Sequence, residues 1–431
     1  MKLQQVAEGG TFWQTIRMRI LRHLLWIALL SSCAVEKKGI LVDVEPGTPM
    51  DESDLHQHCD LGDRAACVLS DDDDSHAPPP SLSLIQGVAP PDRATFTVLE
   101  QKNRPLFWYI YDKELSHLTK LFTVKAISRG DSAYAIQRLD ARGLLAEHHY
   151  ELLGGDKDGT LVEARRFHPL LTEEQPLKAE VITGWRMATH DARLALLSAA
   201  HARKPQFLIL AGSALDATIP ADRADIKGRA SRDLYFARHA AARSNFELGF
   251  ERELLPVAVL WNEDEYGRAN GDGSFPQRDE AREMMELFFP HWADETSIVN
   301  GPGISLTLDF HPFELALVDD LSFRLPPTGG TPVCHAVKGH KHEVCKPGKF
   351  IAPPPGSRHG SLLRNWITSR STKAGRPLWL LTGGPHLFPY SADWNQQAVL
   401  DDPALSRTPA HAALWEISAE RGQPATLTQL P

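Results

Sequence analysis

The chain has 431 residues, 42% of them hydrophobic, enough for two or three domains with a buried core. Its 46 Lys and Arg against 55 Asp and Glu give a formal net charge of -9, so there is no electrostatic case for nucleic acid, which calls for a basic face. The same acidic balance disfavours a phosphorylated polymer as substrate, although it leaves a local pocket unconstrained.

Residues 1–33 read as a processing segment. Arg17, Arg19 and Arg22 precede an apolar run from Leu24 to Leu30, and Ser31, Ser32 and Cys33 follow. That is the charged, apolar, small-residue order of a signal peptide, and the run is too short to span a bilayer permanently. Leu30-Ser-Ser-Cys33 is similar to a bacterial lipobox, which implies lipid on Cys33, membrane attachment and a place in the bacterial cell envelope, on the periplasmic face or the cell surface. The other reading is an ordinary cleaved signal with an incidental Cys33. Counting from Met18 rather than Met1 makes the basic segment compact, and Met18 is the expected start. With Cys33 set aside, four of the five cysteines remain in two local pairs, Cys59 with Cys67 and Cys334 with Cys345. This suits disulfides in an oxidising compartment; four cysteines allow three connectivities, and proximity favours the local one.

Residues 34–80 are polar and acidic, with Asp71 to Asp74 followed by Pro78 to Pro80, and are expected to form a flexible tether with a small disulfide-closed loop. The acidic run lacks the glycine and terminal glutamate of an EF-hand loop and reads as solvated charge. From residue 81 to 176, short alternating segments (Ala94–Leu99, Leu106–Tyr111, Ala133–Ile136, Thr160–Glu163) separated by turn residues predict a small antiparallel β-sandwich of the Fn3/Ig type.

From 177 to 431, strands alternate with helical patterns, which predicts a layered α/β domain. Glu280–Phe289 carries apolar residues at helical spacing, as do Leu362, Leu363, Trp366 and Ile367. Five hydrophobic runs read as strands: Lys178–Trp185, Pro205–Gly212, Leu255–Trp261, Phe313–Asp320 and Pro377–Gly384. Ligands of α/β sheets bind beyond the carboxyl ends of the strands, so these five tips are the candidate site.

The third tip, Trp261-Asn-Glu-Asp-Glu-Tyr-Gly267, resembles the Trp-Asp-Asp-His-Asp/Glu-Tyr-Gly signature of the alkaline phosphatase D (PhoD-like) metallophosphoesterases. Asn262 stands at the first aspartate position and Asp264 at the histidine position. Leu84–Val88, Tyr150 with Gly159–Phe167, Asn270–Pro276 and Phe288-Phe289 occur in family order, so the resemblance runs from about Leu84 to about Trp394. It implies a metallophosphoesterase-like α/β sandwich preceded by the small β-sandwich, with residues 177–431 forming a phosphatase domain shortened at its C-terminus.

A two-metal phosphoesterase needs anionic and imidazole ligands converging from several loops, to hold phosphate and lower the pKa of attacking water. Against the family pattern, Ser213 occupies an aspartate position, Asp216 a tyrosine position and Thr218 a later aspartate position, while Thr183-Gly184 replaces a pair whose cysteine binds iron. Asp319 and Asp320 match, with Leu321 at an arginine position, and these two aspartates are read as holding loops. Three adjacent acids cannot all face one ion, and Glu263 and Glu265 are read as solvated. The fifth tip aligns in two ways, one placing Gly384 at an aspartate position with His386 as a ligand, the other, preferred, matching an earlier segment.

The resemblance therefore implies an impaired pseudophosphatase with no metal cofactor and a binding or structural role, its ligand a phosphate ester or a protein. The alternative is an active phosphomonoesterase or phosphodiesterase whose ligands Asp216, Glu263, Asp264, Asp319 and His386 favour Ca, Mg or Mn. His335, His340 and His342 between Cys334 and Cys345 form either a zinc or copper site or, as preferred, a disulfide-closed surface insertion. No Gly-x-Ser-x-Gly elbow, P-loop or dinucleotide fingerprint occurs, so nucleophilic-serine hydrolysis has no support.

Overall fold

A computed structural model describes residues 48–51, 53, 55, 64–70, 77–121, 126–170, 177–220, 228–267, 271–294, 296–310, 313–323, 333–336, 343–346, 361–373, 378–383, 387–389, 413–419 and 426–429. Cys33, Cys59, the acidic run 71–74, His340, His342 and His386 lie outside these residues.

In chain order, β1 (Thr48–Pro49) and α1 (Arg64–Ser70) precede β2 (Ser83–Gly87), β3 (Arg93–Gln101), β4 (Phe107–Asp112), β5 (His117–Lys120), β6 (Tyr134–Arg142), β7 (Tyr150–Gly155) and β8 (Leu161–Phe167). Then come β9 (Leu177–Thr183), α2 (His190–Arg203), β10 (Phe207–Ala211), α3 (Arg229–Arg243), β11 (Val257–Leu260), α4 (Glu263–Tyr266) and α5 (Arg278–Phe288). The last group is β12 (Ile298–Asn300), β13 (Leu306–Phe310), β14 (Phe313–Val318), β15 (Val333–Ala336), β16 (Glu343–Lys346), α6 (Ser361–Lys373), β17 (Leu378–Thr382), β18 (Leu387–Pro389), β19 (Ala413–Ala419) and β20 (Thr426–Gln429). The protein is a mixed α/β structure of several sheets, richer in strands than in helices.

All five hydrophobic runs are strands, divided between two sheets. β9, β10 and β11 run parallel in the eight-stranded sheet β20-β19-β9-β10-β11-β2-β3-β6, and β14 and β17 run parallel in the five-stranded sheet β12-β13-β14-β17-β18. Side-chain alternation explains the layering. Ala179, Val181, Phe207, Ile209, Ala211, Ala258 and Leu260 point to one side and pack on Leu306, Leu308, Leu315, Leu317 and Leu381 of the facing sheet. Their neighbours Ile182, Leu208, Leu210 and Val257 point to the other side, against α2, α3 and α5 through Leu197, Phe236, Met284 and Phe288. The far face of the five-stranded sheet is covered by Leu363 and Ile367 of α6. Four layers result, helix, sheet, sheet, helix.

Upstream, β2, β3 and β6 face β4, β7 and β8 across a core of Phe96, Val98, Trp108, Leu139, Leu152 and Phe167. β2 and β3 belong to the same eight-stranded sheet as β9 to β11, although Val257 opposite Gly87 is the one register pair joining β11 to β2. Arg243 of α3 reinforces the seam, its guanidinium donating to Ser83 Oγ at 3.1 Å and to Phe288 O, while Thr97 Oγ1 donates to Phe288 O at 2.9 Å. Where composition reads as a tether, α1 docks on the outer face of the β4-β7 sheet. Its run Ala65-Ala-Cys-Val-Leu69 is buried against Tyr109, Tyr111, Leu118 and Leu153, because five successive small or apolar residues cover a sheet face better than they solvate. Cys67 is disulfide-bonded, and Cys334 stands opposite Cys345 in the β15-β16 ladder. Among the described residues no helix is long and apolar enough to cross a membrane.

Glu180 of β9 is fully buried, and among the described residues neither of its oxygens has a hydrogen-bond partner. Burial, with the adjacent Glu416, raises its pKa from 4.5 to about 7 against the opposing pull of Arg203 and Lys178. The folded state then holds this proton more tightly than the unfolded chain, so stability falls as pH rises from about 4.5 to about 7. Glu180→Gln is expected to stabilise the fold at pH 8 by about 2–3 kcal/mol and to flatten that slope, as urea unfolding at a series of pH values would read.

Candidate functional site at the strand tips

The parallel strands β9, β10 and β11 end at Thr183-Gly-Trp-Arg186, Gly212-Ser213 and Trp261-Asn262, and β14 and β17 of the facing sheet end at Asp319 and Gly383. The tips meet through backbone. Gly212 (φ +73°) would place a Cβ 2.6 Å from Gly383 O and 2.9 Å from Asn262 Cβ, and a Cβ on Gly383 would collide with Trp261 O. Only glycine permits this approach. Ser213 continues the left-handed turn at φ 51°, and its carbonyl accepts the Arg186 N–H at 2.8 Å.

The segment after Trp261 is one turn of helix, α4, rather than an open loop. Asn262 caps it, its Oδ1 accepting the Asp264 N–H at 2.9 Å, and Glu265 closes the reciprocal capping box by accepting the Asn262 N–H at 3.0 Å. Gly267 ends the turn in the left-handed region at φ +91°. The helical turn fans the three acids apart. Glu265 is buried rather than solvated, and its other oxygen accepts the Leu215 N–H at 2.7 Å, tying the β10 loop to α4. Burial raises its pKa to about 7, against the lowering effect of those backbone N–H groups. Glu263 is half-buried.

Asp264 faces the tips. Arg186 grips it with two parallel bonds, Nε to Oδ2 at 3.1 Å and Nη2 to Oδ1 at 2.9 Å, and Ser213 Oγ donates to Oδ2 at 2.9 Å. Asn262 Nδ2 donates in turn to Ser213 Oγ at 2.5 Å. The Arg186 fork also reaches Asp216 Oδ2 at 3.6 Å, and Arg238 of α3 approaches Asp216 Oδ1 at 3.5 Å. Two guanidinium groups thus answer two carboxylates, and the forked pair on Asp264, whose side chain is 15% exposed, is the strong type.

Asp319 is fully buried and turned into the protein. Oδ1 accepts Trp261 Nε1 at 2.8 Å and the Ser322 N–H at 3.0 Å, Oδ2 accepts the Ile304 N–H at 3.1 Å, and burial raises its pKa to about 6. Asp320 is half-buried beside it. Thr218 donates its backbone N–H to Asp216 Oδ1 at 3.4 Å. Asp216, Asp264 and Asp319 therefore do not form a cluster with ligand atoms within 4.8 Å of one another; among the described residues such a cluster occurs at Asp112, Glu114 and His148, in the upstream region.

No protein-family model matches this chain, nor does any curated protein.

The tips bring together Ser213, Asp216, Asn262 and Asp264 from the expected set and leave Asp319 in a separate network. Sequence reasoning missed Arg186 and Arg238, because a search for metal ligands looks for acids, imidazoles and thiols. A signal was present: Arg186 lies three residues beyond Thr183, in the loop that leaves the end of β9. The capping pattern Asn262-x-x-Glu265 with Gly267 was equally readable.

Proposed function

We propose that this chain is a PhoD-like metallophosphoesterase-fold protein that does not hydrolyse phosphate esters, anchored in the bacterial envelope through Cys33, and acting as a binding or structural protein for a phosphate ester or a protein partner. The helix-sheet-sheet-helix layering and the sandwich of β2, β3 and β6 on β4, β7 and β8 support the family reading. The Arg186 fork on Asp264 carries the functional one. An arginine cannot be deprotonated at working pH, so it supplies fixed positive charge where the family would hold an exchangeable dication, and it cannot activate water. A hydroxyl at Ser213 and an amide at Asn262 complete a neutral, hydrogen-bonded network rather than an anionic cage.

Hydrolysis of p-nitrophenyl phosphate and bis(p-nitrophenyl) phosphate, assayed with added Mg, Ca or Mn, tests this. No turnover above buffer is expected. Metal-dependent turnover that disappears in Asp264→Ala would overturn the proposal and favour the oxygen-rich ligand set.

A further inference from the structure

We infer that Asp112, Glu114 and His148 form a divalent transition-metal site, suited to zinc, on the upstream region and far in sequence from the strand tips. The fold brings the three together through strand pairing. Asp112 ends β4 and pairs in register with Tyr150, which begins β7, so the 113–116 turn and the connection carrying His148 lie side by side. A bond from Lys113 N–H to His149 O at 3.1 Å holds the two loops together.

His148 Nδ1 lies 2.9 and 3.0 Å from the two Asp112 oxygens and 4.0 Å from Glu114 Oε2, and one donor atom from each residue falls within 4.8 Å of the others. Donors bound to one zinc at about 2.0–2.1 Å in tetrahedral geometry stand roughly 3.3 Å apart, which these separations bracket. The donors are already oriented: Asp112 Oδ1 accepts the Leu115 N–H at 3.0 Å, and Glu114 accepts the His149 N–H at 2.9 Å and faces His149 Nδ1 at 2.8 Å. Such outer contacts fix ligand geometry at metal centres.

Charge separates this cluster from the strand tips. There, arginines answer the carboxylates; here, among the described residues, the ion pairs of Asp112 and Glu114 are with the imidazoles of His148 and His149, the Tyr150 hydroxyl hydrogen-bonds to Asp112, and the intervening Lys113 pairs with Glu151 at 3.6 Å. Two carboxylates and a neutral imidazole neutralise a dication, and the nitrogen donor selects zinc over magnesium or calcium. The side chains of Asp112, His148 and Glu114 are 10%, 18% and 37% exposed, so the site is rooted in protein and open on one side. A cavity of about 640 Å³, bordered by Glu114, His149, Tyr150, Arg166 and His168, adjoins that side and gives solvent or an exogenous donor access to a fourth position.

Calorimetric titration of metal-stripped full-length protein with zinc chloride, with competition by a chromophoric chelator, tests the assignment. One zinc per chain is expected at this site, weakened at least tenfold in His148→Ala and in Glu114→Gln. It is expected unchanged in Asp264→Ala and when His335, His340 and His342 are replaced by alanine, and magnesium is expected not to compete. A plain His-Asp ion pair, by contrast, has no zinc dependence. If His148→Ala does not fold, Glu114→Gln, at the exposed edge, carries the test. Absence of binding to the wild type, or undiminished binding in Glu114→Gln, would overturn the inference.

Discussion

Asp319→Ala is expected to lower folding stability by about 3–5 kcal/mol, the largest loss from a single side chain in the strand-tip region. The carboxylate accepts from Trp261 Nε1, Ser322 N–H and Ile304 N–H, all in a fully buried setting. Alanine leaves three donors without acceptors, each orphan costing about 1–3 kcal/mol less whatever local relaxation recovers. Gly303, at φ +64°, approaches Asp319 so closely that a Cβ there would strike Oδ2, so the 302–305 turn has no room to rebuild around the gap. Asn at 319 retains one acceptor and about half the loss should remain. Denaturant unfolding of the two variants beside the wild type decides it; a loss below about 1 kcal/mol for the alanine would mean that the network is dispensable.

The second large effect lies in the upstream region. Glu163 and Arg165, neighbours on one face of β8, form an ion pair at 3.0 Å with both side chains fully buried. Glu163 Oε2 also accepts from Ser81 N–H, Ser81 Oγ and Leu82 N–H, while Arg165 donates to Leu82 O and Glu251 O at 2.8 Å each. Glu163→Ala removes the counter-charge and leaves a buried guanidinium, and a loss of about 3–5 kcal/mol is expected. Because each charge is costly to bury alone, the double variant Glu163→Leu with Arg165→Met should recover most of that loss. A double-mutant cycle by urea unfolding reads the coupling directly, and additive losses would show that the two side chains act separately.

What was legible in the sequence follows the physics of each element. Runs such as Val257–Leu260 and Phe207–Ala211 are short, continuously apolar and turn-bounded, as strands buried on both faces must be. Their division between two sheets was not legible, since pairing partners leave no mark on a strand's own composition. α3 stayed hidden because its buried stripe contains His239 and Arg243, both fully enclosed, and so reads as polar at helical spacing. α2 buries only Leu197 and Ala200, although Thr189 before it is an ordinary N-cap signal. At the candidate site the acids were found and the cations were missed. Arg186 and Arg238 become informative only when folding sets them against Asp264 and Asp216. The composition change near residue 176 is likewise crossed in three dimensions, where Arg166 N–H donates to Arg252 O at 2.9 Å and Leu254 N–H to Arg166 O at 2.8 Å.

The guanidinium clamp also couples any substitutions made in the cleft. With Arg186 seated on Asp264, a new aspartate at position 213 would add a further anion for the arginine rather than a place for a metal. With Arg186 lost first, Asp264 and Asp216 would repel each other, relieved on one side by Arg238 alone. Substitutions at Arg186, Ser213, Asp216 and Asp264 are therefore not independent, and the order in which they are made decides what each one costs.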